Sequence, residues 1–217
     1  MIKKYFDLGK TNLNIFNLFL FYGKNDGLQN EVINDVFTNN FKGSVNKYDE
    51  NEFINNYETV ISELLTSSLF EKEKIIVISR ASDKLLKLVE EILDKGIKDV
   101  KIILKSSELE KRSKIRNFFE KRKDLVIVPF YEDNPNTLSS IVIKFLNQHN
   151  INLSRESVNL LVNRANGSRK ILKIELDKIL NYSFTNKKIE LNVVKKLTNL
   201  NENYGVNELA DNYLEKN

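Results

Sequence analysis

The sequence predicts an α/β fold, with a parallel five-stranded sheet followed by a small all-helical domain. Over the first 130 residues, short apolar runs alternate with longer helical patterns, as parallel strands joined by crossover helices do. Most of these runs are continuously apolar, which is typical of strands covered on both faces. Both prolines, Pro129 and Pro135, come just after the last such run, and every periodic segment beyond them is helical.

The elements of the first part follow from these runs in chain order. Strands are expected at 19–22, 44–47, 75–78, 101–104 and 125–128, of which 44–47 is the least apolar. Helices are expected between them at 29–37, 51–68, 83–95 and 108–121. Gly23 ends the first strand, and Asp26 is expected to be the N-cap of the helix that follows.

The second part contains only helical patterns. They cover residues 137–147, 155–163, 169–181 and 191–198, with a cap at Ser154 and a turn at Gly167-Ser168. A last helical segment at 207–215 has too few residues to bury its own face. The predicted domains are therefore 1–132, 133–200 and 201–217.

Composition narrows the class of protein. A chain of 217 residues that is 41% hydrophobic can bury a sizeable core, and the lack of cysteine excludes disulfides and thiolate metal sites. The most apolar stretch, 15–22, is far short of the roughly 20 residues that span a bilayer, and no signal-peptide pattern opens the chain. We expect a soluble, cytoplasmic protein that does not insert into a membrane.

A phosphate-binding loop is expected at the end of the first strand, but its chemistry is missing. In the motif G-x-x-x-x-G-K-S/T, backbone amides and the lysine bind phosphates while the hydroxyl binds Mg²⁺. Here Gly23 and Gly27 are one residue too close, and Leu28 and Gln29 replace the lysine and the hydroxyl residue. No strand is followed by an acidic pair that would position Mg²⁺, since Ser79-Arg80 follows the strand at 75–78. We expect no catalytic residue, cofactor or metal site.

The tripeptide Ser68-Leu69-Phe70 ends the second predicted helix. At 100° per residue, Leu69 and Phe70 lie about 120° and 220° from Tyr57, the centre of the apolar stripe of that helix. If the helix reaches them, both side chains face solvent, and an exposed Leu-Phe pair is suited to docking. Alternatively, the helix ends near Ser67 and both side chains are buried.

A basic cluster lies between residues 105 and 123. Lys111, Arg112, Lys114 and Arg116 could follow a phosphate backbone and face DNA. Interleaved acids, such as Glu110 four residues before Lys114, describe an ordinary solvated helix equally well. The net charge of +4 is only weak support for nucleic-acid binding.

Several stretches together resemble the delta subunit of the bacterial DNA polymerase III clamp loader. The resemblance covers essentially the whole chain and combines the vacant phosphate loop with four matching segments, 21–31, 67–76, 113–121 and 167–179. It implies an AAA+-like fold without ATPase activity. It also implies that Ser68, Leu69 and Phe70 bind a pocket of the sliding clamp, beta, and so help to open the clamp for loading onto primed DNA.

The resemblance further implies partners. These are the ATPase subunits gamma/tau and delta-prime of the loader, and primed DNA through the assembled complex, within a holoenzyme that is a DNA-directed DNA polymerase and nucleotidyltransferase. Such subunits end in a helical collar domain, of which 201–217 resembles only the start. Arg169 lies near the position where active relatives have a nucleotide-sensing arginine.

Two other functions stay open from the sequence. One is a divergent AAA+ ATPase whose phosphate loop uses Lys24. The other is a nucleic-acid-binding module that acts through residues 111–123.

Overall fold

The computed structural model describes residues 1–65, 73–96, 100–186 and 188–198. The chain forms two compact units, Met1–Glu132 and Asp133–Asn217. In the described parts of the chain, no helix is both long enough and apolar enough to cross a membrane.

A five-stranded parallel sheet forms the centre of the first unit. Its strands are β1 (Leu18–Tyr22), β2 (Ser44–Asp49), β3 (Lys74–Ser79), β4 (Val100–Ser106) and β5 (Val126–Pro129). Their order is β2-β3-β4-β1-β5, and every pairing is parallel. All five predicted strands are present. In β1, β3, β4 and β5 the β-branched and aromatic runs are buried between two layers of helices, whereas β2 is an edge strand with no buried residue.

Helices cover both faces of this sheet. They are α1 (Asp26–Val32), α2 (Glu50–Asn55), α3 (Tyr57–Leu65), α4 (Leu86–Asp94) and α5 (Lys114–Lys121), with 3-10 turns at Tyr5–Lys10, Leu13–Ile15 and Asp83–Leu85. Alternate residues of the strands enter two apolar clusters, with Leu20 and Ile76 in one and Phe21 and Ile75 in the other. The period-two alternation of strand side chains divides the core in this way.

Three helices of the first unit differ from those predicted from the sequence. The helix expected at 29–37 is α1 followed by a π-helical turn, Ile33–Thr38. The helix expected at 51–68 is interrupted at Asn56, whose backbone and side-chain amides both donate to the carbonyl oxygen of Glu52. The helix expected from 108 begins only at Lys114, because Ser113 caps it.

The second unit contains four helices in its described part. They are α6 (Pro135–Gln148), α7 (Arg155–Ala165), α8 (Arg169–Ser183) and α9 (Leu191–Leu197). Asn134, Ser154 and Ser168 cap the first three through their side-chain oxygens. The helices pack around one apolar cluster that includes Val142, Leu161, Leu172, Leu176, Ile179 and Val194.

Candidate functional site

The turn between β1 and α1 requires a glycine. Gly23 has a φ of +130°, and a Cβ at this position would lie 2.1 Å from the carbonyl oxygen of Phe130. Only a residue without a side chain allows β1 and the end of β5 to approach this closely. The turn therefore brings the start of α1 to the carboxyl ends of the strands, where open α/β sheets bind ligands.

Backbone amides of this turn are already hydrogen-bonded within the protein. The amide of Gly23 donates to the carbonyl oxygen of Ser107 at 3.0 Å, and the amide of Leu28 donates to the Asn25 side chain at 3.1 Å. The amide of Asn25 itself donates to a carbonyl oxygen at 3.4 Å. Amides that are used in this way are not available to hold phosphate oxygens.

Asn25, and not Asp26, is the N-cap of α1. The expectation that Asp26 caps this helix was wrong, because the Asn25 side chain accepts from the amide three residues later. Asp26 instead accepts from the ammonium group of Lys105 at 2.8 Å. Its carboxylate therefore joins the start of α1 to the end of β4.

Gln29 occupies the centre of the turn. Its side chain is buried, with an exposed fraction of 1%. Its amide donates to the carbonyl oxygens of Gly23 and Ser106, each at 3.1 Å. Gln29, at the position of the Mg²⁺-binding hydroxyl residue, thus fills the interior of the turn and hydrogen-bonds its backbone.

From the sequence, Gln29 was expected only to stand where the hydroxyl residue is missing, and its role inside the turn was not predicted. A signal was nevertheless present, because Gln29 precedes Val32 and Ile33 at i, i+3 and i+4 on the buried face of α1. A polar residue on such a stripe must find a hydrogen-bond partner inside the protein.

An arginine follows β3, where a nucleotide hydrolase has its acidic pair. Arg80 has a φ of 60° and pairs with the carboxylate of Asp49 at the end of β2. The hydrogen bond from Arg80 lowers the pKa of Asp49. The guanidinium of Arg80 therefore lies at the end of β3, where a nucleotide hydrolase would need carboxylates to bind Mg²⁺.

A cavity of about 570 Å³ lies beside the turn. Lys24, the residue proposed for a divergent phosphate loop, lines it together with Glu108. The two charged groups are 3.7 Å apart, and both side chains are more than half exposed. The ammonium group of Lys24 is thus at the surface and its charge is partly neutralised by Glu108, whereas the lysine of a phosphate loop binds phosphate.

Within the second unit, Arg169 is held by Asp133. Two hydrogen bonds of 2.6 and 3.0 Å join the guanidinium to the carboxylate, and the two side chains are 12% and 7% exposed. A bidentate pair of this kind fixes the guanidinium plane. Arg169, which the resemblance places near a nucleotide-sensing arginine, is therefore engaged with a partner in its own unit.

The four residues expected to face DNA differ in their surroundings. Lys111, Arg112 and Lys114 are exposed, and Arg112 pairs with Glu110 at 2.6 Å. Arg116 is mostly buried. It pairs with Glu120 at 2.8 Å and lies over the Tyr22 ring at 4.9 Å. The geometry leaves Lys111 and Lys114 as the outward-facing cations of this cluster.

The tripeptide proposed for clamp binding, Ser68-Leu69-Phe70, lies outside the described residues. The preceding stripe is partly as expected, since Phe53, Val60 and Ile61 are buried. The interruption at Asn56 separates Phe53 from α3, whereas Tyr57, from which the angular positions of Leu69 and Phe70 were counted, is the first residue of α3.

Comparisons with known proteins concern both fold and family. The Bacillus subtilis DNA clamp loader delta protein YqeN aligns at 18% identity over 89% of this chain and 62% of its own, with a TM-score of 0.49. Domain III of the Thermotoga maritima replication initiation protein DnaA aligns at 18% identity over 89% and 87%, with a TM-score of 0.52. The Thermotoga maritima RuvB Holliday junction branch migration motor aligns at 11% identity over 83% and 61%, with a TM-score of 0.57.

The likeness to DnaA and RuvB concerns the fold alone, and the expected AAA+-like fold is confirmed. This chain spans 62% of the length of the Bacillus subtilis delta chain. Comparison with curated protein sequences gave no match. The family model for the delta subunit of DNA polymerase III matches residues 19–129, from β1 to the end of β5, which is just over half of the chain. The chain belongs to the DNA polymerase III delta subunit family.

Proposed function

We propose that this protein is a clamp-loader subunit that binds the sliding clamp and opens it for loading onto primed DNA. The observation that carries the proposal is the match of residues 19–129 to the delta subunit family. In this proposal Ser68, Leu69 and Phe70 form the clamp-binding element. Binding favours the opened clamp, and ATP-driven motions of the partner subunits expose or withdraw the element.

We further propose that the subunit has no catalytic activity of its own. Support comes from the loop at Gly23, in which the buried Gln29 side chain and internal hydrogen bonds occupy the place of phosphates. Arg80 in place of an acidic pair supports the same conclusion. ATP would then be bound and hydrolysed by the partner subunits gamma/tau, assembled with delta-prime in the cytoplasm.

The free energy available from the Leu-Phe pair is sufficient for docking. Full burial of such side chains contributes about 1.5 to 3 kcal/mol each. Together they would account for a factor of about 100 or more in affinity, since each 1.4 kcal/mol is about tenfold. A pair of this kind would be a hot spot within a larger polar contact.

The test is clamp binding by the double variant Leu69→Ala/Phe70→Ala, measured by surface plasmon resonance on immobilised clamp. We expect the affinity to fall about 100-fold or more while the fold is retained. The matched control is Ile174→Ala/Phe184→Ala, because these two side chains are 51% and 75% exposed in the second unit. Unchanged clamp affinity in the first variant, or an equal loss in the control, contradicts the proposed site.

The ATPase alternative is tested separately by equilibrium binding of a fluorescent ATP analogue. We expect no saturable binding, because the turn amides and Gln29 are bonded internally. Saturable binding that disappears in Lys24→Ala would favour a divergent ATPase.

A further inference from the structure

A groove of about 410 Å³ lies along the edge strand β2, between this strand and the π-helical turn that follows α1. We call it the β2 groove. Parallel sheets are normally covered by helices on both faces. Over β2 the helical cover is incomplete. Val45 of β2 points toward the covered face of the sheet, yet 36% of its surface is exposed.

The register of the sheet explains which side chains enter the groove. Lys47 pairs with Val77 and Val45 pairs with Ile75, so these four residues share one face of the sheet. Val77 and Ile75 are buried under α1 and its continuation. Lys47 lies one strand further out, where the helical cover ends, and its side chain is exposed.

The polar lining of the groove consists of hydrogen-bond donors and amides. Its six polar residues are Asn30, Asn34, Thr38, Lys47, Ser79 and Lys105. No carboxylate is among its lining residues in the described structure. Such a surface favours an anionic ligand, since ammonium, hydroxyl and amide groups are the usual partners of phosphate oxygens.

Two of these groups have no partner within the described residues. Lys47 forms no ion pair there, and the hydroxyl of Ser79 forms no hydrogen bond. Lys105 is different, because its ammonium is held by Asp26 at 2.8 Å and by Asn30 at 2.5 Å. Lys105 therefore shapes the floor of the groove, and Lys47 supplies its available positive charge.

The shape of the helix beside the groove is also unusual. The turn Ile33–Thr38 is π-helical, and it contributes Ile33, Asn34 and Thr38 to the lining. π-helical turns are rare and are frequently found at functional sites. Here the turn places two polar side chains opposite Lys47.

We propose that the β2 groove binds the phosphate backbone of a nucleic acid, with Lys47 as its principal cation. An open groove along a strand suits an extended polyanion, and contacts to phosphates alone would make the binding independent of base sequence. The basic cluster at 111–116 is the competing site: its Arg112 and Arg116 are already paired with glutamates, but Lys111 and Lys114 are exposed, so the test includes them. This proposal does not depend on clamp docking.

The test is fluorescence anisotropy of a labelled single-stranded oligonucleotide, titrated with the full chain at several salt concentrations. We expect Lys47→Glu to weaken binding about tenfold or more, and Lys47→Gln to reduce the slope of log K against log salt by about one. The matched control is Lys95→Glu, because Lys95 is an exposed lysine that pairs with Glu91 on α4. This control is expected to reduce the affinity much less than Lys47→Glu.

Four results would overturn the proposal. The first two are wild-type protein that shows no salt-dependent binding and unchanged affinity in Lys47→Glu. The third is a loss of binding confined to Lys111→Glu/Lys114→Glu, and the fourth is an acidic peptide that binds the groove when DNA does not. Clamp binding is measured on the same Lys47→Glu sample and is expected to be unchanged, so failure of either proposal can be distinguished from failure of the other.

Discussion

The side-chain amide of Gln29 lies 3.1 Å from the carbonyl oxygen of Ser106 and donates a hydrogen bond to it, which joins helix α1 to the end of strand β4. The same amide donates to the carbonyl oxygen of Gly23 at 3.1 Å. One buried polar side chain thus satisfies two backbone acceptors in the turn where a nucleotide-binding relative holds phosphate.

Replacement of Gln29 should destabilise the protein. In Gln29→Ala the two acceptors lose their donor in a buried place, so we expect the free energy of unfolding to fall by about 1–3 kcal/mol. Urea denaturation followed by circular dichroism measures the change. Gln148→Ala, at an exposed position near the end of α6, should change it by less than about 0.5 kcal/mol. Equal effects would contradict the role of Gln29.

Alanine at Gly23 should be more damaging. The new Cβ would meet a backbone oxygen at 2.1 Å, and the φ of +130° is unfavourable for any L side chain. We expect a loss of about 3 kcal/mol or more in the free energy of unfolding. Gly9→Ala is the control, because no atom lies within 4 Å of a Cβ at that position. A Gly23→Ala protein as stable as Gly9→Ala would show that the turn tolerates a side chain.

Asp83 should make stability depend on pH. Burial alone would raise the pKa of Asp83, but hydrogen bonds from Ile115, Lys114 and Ser113 outweigh it and lower the pKa below its usual 3.8. Because the folded-state pKa is lowered, the carboxylate stabilises the protein above the unfolded pKa. This contribution is lost as the pH falls through the folded-state pKa.

The variant Asp83→Asn should therefore be less stable than wild type at neutral pH, and the difference should shrink below about pH 4. Thermal melts over a pH series measure it. Asp177→Asn, which changes an exposed aspartate of α8, should show no such convergence. A difference that stays constant down to low pH would exclude this role for Asp83.

The pair of Asp133 and Arg169 should be strongly coupled. In Arg169→Ala the Asp133 carboxylate, which is 7% exposed, keeps its charge without its bidentate partner. We expect a loss of about 3–5 kcal/mol in the free energy of unfolding, most of which the double variant with Asp133→Ala recovers. Arg122→Ala breaks an exposed pair with Asp124 and should cost only about 0–1 kcal/mol. Additive losses in the double-mutant cycle would contradict the coupling.

Much of the fold could be predicted because most strands coincide with local runs of apolar residues. The run at 75–78 is buried throughout, and a short, β-branched apolar run of this kind is typical of a strand with cover on both faces. The interruption at Asn56 could not be predicted from hydrophobic spacing, because Phe53 and Val60 keep helical spacing across it. The break lies in the backbone of Asn56, whose φ of −106° and ψ of 12° depart from helical values, and the apolar pattern does not report this.

The site was less predictable, since its contacts join distant parts of the chain. Gln29 bonds to a residue 77 positions later, and Arg116 lies over a tyrosine of the first strand. The sequence could place Arg116 among basic neighbours, but only the packed structure decides that it faces inward. Lys47, by contrast, stands in the least apolar strand, and only the register of the sheet places it beside the groove.

The closed turn at Gly23 has an evolutionary consequence. Restoring lysine and threonine at positions 28 and 29 would remove the two hydrogen bonds of Gln29, yet the Gly23 amide would still be held by Ser107. A single substitution in this turn therefore lowers stability without creating a nucleotide-binding site. Several substitutions would have to occur together to create one.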